Sequence, residues 1–310
     1  MNEQRINLKT RTLVLAAILA SLVTGCGQDA IFGSDGSGAS ASGPGPAGSA
    51  PALGAAGAFG GFGGGAGMTN QGISTVITGA QGQPVSIGTT GASTTMTGFH
   101  SNTVPYAPPA GCIYTETVLN VGAVSGAINT DAPPPTVTCP NEGTAATKAI
   151  ADQAALDALA AFNALSPAAR PGATDPGANL GGLTLAPGIY ATASGAFLIT
   201  GSDLTLDAGG NANAVWVFQM ASTLTVGAAG APRSVILAGG AQPKNIFWRV
   251  GSSATINAAG GGTMVGTIIS SATTTFSTPG NVTITTLNGR ALALNASVTM
   301  VNTVINVPAP

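Results

Sequence analysis

The sequence predicts a mainly β fold carrying one long helix, and three observations predict it. Beyond Leu180, threonine, valine and isoleucine recur in short runs divided by glycine or asparagine. One segment, Thr144 to Leu165, is rich in alanine and leucine and has the composition of a helix. The run Val215-Trp216-Val217-Phe218 is apolar on both strand parities, so such a strand has to be covered on both sides. Many short strands with small turns fit a sandwich, a barrel or a solenoid, and spacing alone does not choose among them.

The first element is a leader. An apolar stretch from Leu13 to Val23 follows Arg5, Lys9 and Arg11 and is too short to cross a bilayer, which needs about 20 apolar residues. Its end, Leu22-Val23-Thr24-Gly25-Cys26, resembles a bacterial lipobox. That resemblance implies a lipoprotein-type signal over 1–25, acylation of Cys26 and, with Gly27 rather than aspartate next, an exported protein anchored at the outer membrane or cell surface. Residues 26–55 are Gly, Ser, Ala and Pro with almost no large apolar side chain, and too little burial is available to offset the entropy of ordering them. They are expected to form a flexible tether ahead of a folded domain at 56–310.

Within that domain, Met68 to Phe99 shows alternating runs such as Ile73 to Ile77 and Val85 to Ile87, expected as strands. Residues 103–140 are irregular and proline-rich and suit a cap. Cys112 and Cys139 lie there, and with Cys26 acylated they are the two thiols left in an exported chain, so they are expected to form a disulfide. The helix follows, with Thr144 as N-cap and Ser166-Pro167 as its stop. Its apolar residues, Ile150, Ala154, Leu156, Leu159, Phe162 and Leu165, spread around much of the circumference, and one face is expected to pack on strands. Further strand-like runs continue to Val298 to Ile305, among them Ala214 to Met220, Asn245 to Val250 and Val282 to Thr286.

Charge narrows the function. Of 310 residues 6% are charged and the net charge is −2, which excludes a basic nucleic-acid binder. From Leu180 onward the charged side chains are Asp203, Asp207, Arg233, Lys244, Arg249 and Arg290. That supply is too sparse for a converging catalytic or metal centre, so neither enzyme activity nor a cofactor is expected. His100, beside Phe99, is expected to be structural.

Four ordered phrases carry a specific resemblance: LTLAPGIY at 183–190, LTLDAGGNANAVWVFQMASTLTV at 204–226, VILAGGAQPKNIFWRVGSSATI at 235–256 and NGRALALNASVTM at 288–300. Together they closely resemble the microbial ice-binding, antifreeze-like protein family over about Met68 to Val307. MTNQGISTVITG and TGF at 97–99 look like its N-terminal coil. The resemblance implies a discontinuous right-handed β-solenoid of triangular section with one long helix alongside. It also implies that the N-terminal strand pairs with the final one although cap and helix intervene.

The implied function is adsorption to ice, with the ice/water surface as partner. The alternative is a structural or adhesive module that binds a polymer, a partner protein or a cell surface; a monomer is expected. Stacked coils would space side chains about 4.7–4.9 Å up the solenoid and about 6.6–6.8 Å along a strand. Strand parity then gives the outward candidates. Leucine, valine and isoleucine turned inward expose Thr205, Thr223, Thr225, Ser253, Thr255 and Asn257. Thr273, Thr275 and Ser277 follow from Phe276, Thr283 and Thr285 from Val282 and Ile284, and Ser297 and Thr299 from Val298 and Met300. Strand propensity alone also enriches threonine on any solvated β face. The Thr-Ala/Gly-any-Thr/Asn pattern common in active relatives occurs here only as Thr144-Ala145-Ala146-Thr147, at the helix start.

Overall fold

A computed structural model describes residues 48–102, 116–135 and 142–309, all within one unit spanning Ser42–Pro310. The leader, Cys26, Cys112 and Cys139 lie outside the described residues.

Short β-branched runs between tight turns cannot bury both faces alone, so they stack. Every strand pair in the described sheets is parallel, as coils wound in one direction require. Three sheets result. A seven-stranded sheet runs Phe197–Ile199, Leu224–Val226, Ala254–Ile256, Thr274–Phe276, Val298–Met300, Met68–Asn70 and Met96–Thr97. A three-stranded sheet joins Val235–Ala238, Leu204–Asp207 and Thr184–Leu185. A broad twelve-stranded sheet includes Gly188–Ala191, Trp216–Met220, Ile246–Val250, Thr263–Ser270, Thr285–Ala293, Thr303–Val307 and Thr75–Gly79. This is a discontinuous β-solenoid.

The discontinuity is where the resemblance put it. Thr299 pairs with Thr69, and Ile305 with Ile77, so the first coil closes on the last. A strand from Phe59 to Gly63 slots between Thr285–Ala293 and Ser86–Ala92, buried along its length. The sequence had marked only the beginning of the fold at this point.

Three successive coils place an aromatic rung in the interior. Tyr190 stacks on Phe218 at 5.4 Å and Phe218 on Trp248 at 4.0 Å between ring centroids, because the sheet register aligns them. On the opposite side of the broad sheet, Val215, Val217, Phe247, Ile269 and Leu292 pack against helix α1 (Ala145–Ala164). Coverage on both faces is what the apolar run at 215–218 demanded. Thr144 caps α1 by accepting from the Thr147 amide at 3.2 Å, while the Thr147 hydroxyl accepts from the Thr144 amide at 2.8 Å.

The structure decides which face of α1 packs on the strands, a choice the spread of apolar residues had left open. Ala151, Ala154, Ala158, Ala161 and Phe162 are buried, while Ile150, Leu156 and Leu159 point to solvent. Alanines let the helix lie close on the sheet, a distance at which leucines would not fit. Arg249 fastens it, with its guanidinium 4.0 Å over the Phe162 ring and its Nε donating to the Phe162 carbonyl at 3.1 Å.

One end of the solenoid is closed by the stretch that follows α1. Thr174 bonds to Ile189 and Ala191, Leu180 and Ala178 bond to Leu198, and Gly182 bonds to Asp203, so this stretch reaches all three sheets.

Candidate functional site

The seven-stranded sheet alternates cleanly. Leu224, Val226, Ala254, Ile256, Phe276, Val298, Met300 and Met68 point inward and are buried. Thr274, also inward, shares a 2.9 Å hydrogen bond with Ser270. The residues between them point out, and pairing aligns them one to one: Thr225 with Thr255, Thr255 with Thr275, Thr275 with Thr299, Thr299 with Thr69, and Thr69 with Thr97. Six threonines thus form an unbroken rank with a repeat of about 4.8 Å.

A second rank lies two residues earlier on each strand, about 6.7 Å away along the strand direction. Leu224 donates to the Ser253 carbonyl, Ala254 to Thr273 and Thr274 to Ser297, at 2.9–3.2 Å, so Thr223, Ser253, Thr273 and Ser297 are also in register. The Thr273 hydroxyl donates to Ser253 Oγ at 3.0 Å, which orients that pair. The rank is interrupted at Gly67. Its φ of +77° and a would-be Cβ 2.0 Å from the Thr95 carbonyl oxygen exclude any side chain there.

The strands of this sheet carry no charged residue. The resulting surface is a two-column array of hydroxyls and methyls on rigid backbone. Threonine suits such an array because its branched χ1 is stiff and its hydroxyl both donates and accepts. A charge would impose a hydration shell of its own.

Eight of the thirteen outward candidates meet on this sheet: Thr223, Thr225, Ser253, Thr255, Thr273, Thr275, Ser297 and Thr299. The other five do not. Thr205 belongs to the three-stranded sheet, between Thr184 and Ile236. Thr283 lies exposed in the turn before Thr285–Ala293, and Thr285 is buried. The parity count failed because Val282 to Ile284 is not strand. Val282 is 85% and Ile284 44% exposed, and the true strand takes its parity from Leu287, which puts Thr285 inside.

Asn257 and Ser277 also turn inward, since both adopt positive φ (47° and 59°) at the corner and leave the strand. Asn257 holds its corner by accepting from the Arg233 amide and donating to the Arg233 carbonyl, each at 2.9 Å. Thr69 and Thr97 were missed as outward residues, although Met68 and Asn70 bracket Thr69, and Met96 precedes Thr97, with the same alternation.

Asp203, Asp207 and Arg290 serve the scaffold, as Arg249 does. Asp203 accepts from Ser234 N at 2.8 Å and Asp207 from Gly209 N at 2.9 Å, holding turns. Arg290 is buried with its Nε donating to the Gly57 carbonyl at 3.0 Å, and burial pushes its guanidinium down to about 10. His100 Nδ1 lies 2.8 Å from Glu116 Oε1, in a pair away from this sheet.

Comparison with known proteins follows the same geometry. An ice-binding protein of Nostoc sp. (strain HG1) is 39% identical over 182 residues, which cover 58% of this chain and 61% of that protein. One from Flavobacterium frigoris (strain PS1) is 34% identical over 125 residues, 40% of each chain. The chain therefore spans less than two thirds of these relatives. The crystal structure of an ice-binding protein from the Antarctic ascomycete Antarctomyces psychrotrophicus superposes with a TM-score of 0.61 at 29% identity, over 84% of this chain and 100% of that one. These relatives are named as ice-binding proteins, not enzymes. The profile of the family described as ice-binding-like matches residues 62–306, and by that match, carried on a shared solenoid, the chain belongs to the ice-binding-like family.

Proposed function

We propose that this protein adsorbs to ice through the seven-stranded sheet. The observation that carries the reading is the unbroken threonine rank from Thr225 to Thr97, flanked over four coils by a second rank of hydroxyls. Repeats of about 4.8 and 6.7 Å hold hydroxyls and methyls at fixed spacing, so ordered water can match them without the protein reorganising. The relatives' names support the same target. The purified protein should shape growing ice crystals and inhibit recrystallisation. Thr255→Lys should lose most of that activity, because a hydrated ammonium in the middle of the array keeps the surface from ice. Thr205→Lys, on another sheet, should keep it. Unshaped disc crystals from the wild type, or equal losses from the two variants, would overturn the reading.

We further propose that the chain is exported and lipid-anchored through Cys26, on the strength of Leu22-Val23-Thr24-Gly25-Cys26. Wild type should fractionate with membranes, whereas Cys26→Ser should not carry the lipid; identical lipid labelling of both would sink the idea.

A further inference from the structure

The hydroxyl rank stops at one end for a reason visible in the register. Thr225 pairs with Leu198, which occupies the next position of the same outward column on the strand Phe197–Ile199. Leu198 is 37% exposed, more than its threonine neighbours along the column, which are half-buried. In the second column the corresponding position, two residues earlier, is Ala196. The outermost coil is therefore built like the others and bonded in register to them, yet presents two apolar side chains where the next coils present Thr223 and Thr225, then Ser253 and Thr255. Beyond it the column has no room to continue. Leu198 bonds on its far side to Ala178 and Leu180, and the side chain of Asn179, next in the column, is engaged with Gly181 and Thr200.

We infer that Leu198 is the residue that limits the extent of the ice-matching array: its coil is a seventh, structurally complete position that lacks only the hydroxyl. The inference rests on the ice-binding reading and deepens it. Leu198 Cα sits in a strand whose inward residues, Phe197 and Ile199, are fully buried, so the backbone is fixed and a substitution changes only the outward group. A leucine side chain is also branched at Cγ rather than Cβ, so it stands taller and moves more freely than threonine and breaks the flatness of the column.

The test compares wild type, Leu198→Thr and Leu198→Val in recrystallisation inhibition and thermal hysteresis, with melting temperature as a fold control. Leu198→Thr should inhibit recrystallisation at a roughly two- to tenfold lower concentration, the effect of one further matched hydrogen bond. Leu198→Val, with the same branching and no hydroxyl, should gain markedly less. A Leu198→Thr variant that melts like wild type but is no more active overturns the inference, and so does an equal gain in Leu198→Val. A wild type without ice activity is a different result: it removes the functional reading itself.

Discussion

At the scale of single residues, the same residue type does opposite work depending on which side of the strand it occupies. Thr275 presents its hydroxyl outward in register with Thr255 and Thr299, whereas Thr285 is fully buried and its Oγ1 has no hydrogen-bond partner. An orphaned buried hydroxyl carries its desolvation cost uncompensated. Replacing Thr285 by valine, which keeps the branching and removes the orphan, should raise the stability by about 1 kcal/mol in a denaturant titration. Ice activity should not change. Loss of ice activity in a stable Thr285→Val protein would mean that the buried assignment is wrong.

At the scale of elements, α1 shows how packing distance selects residues. Alanines at 151, 154, 158 and 161 face Val217, Phe247 and Ile269 in one apolar layer. Ala158→Leu inserts three carbons into that closed contact and should destabilise by about 1–3 kcal/mol, read as a drop in melting temperature. Leu156→Ala, on the exposed side, should cost far less. The existence of the helix, its Thr144 cap and its end were legible in the sequence, because capping and composition are local. Its buried face was not: hydrophobicity favours Ile150, Leu156 and Leu159, but the close approach of the sheet behind it favours the smallest side chains.

At the scale of the whole molecule, the array is assembled from chain segments far apart in sequence. Thr69 and Thr299 are neighbours only because the first coil closes on the last. Thr69→Lys should therefore reduce ice recrystallisation inhibition about as much as Thr299→Lys. A fully active Thr69→Lys protein would show that the N-terminal coil lies outside the contact surface. Such long-range pairing also explains the burial of Phe59–Gly63 within the broad sheet, where Arg290 holds Gly57.

The chain by itself determined that the fold is β with one helix, that strands are short, and that Leu224, Val226, Ala254 and Ile256 face inward so that Thr223, Thr225, Ser253 and Thr255 face out. Those outcomes follow from alternation, turn chemistry and composition, which act over a few residues. Only the tertiary structure decided which outward threonines share a surface. It separated Thr205 onto another sheet, turned Thr285 inside, brought Thr69 and Thr97 into the rank and ended that rank at Leu198. The physical reason is that a strand's parity says which side a residue takes, whereas corners such as Asn257, and pairings that close over more than two hundred residues, decide which sheet that side belongs to.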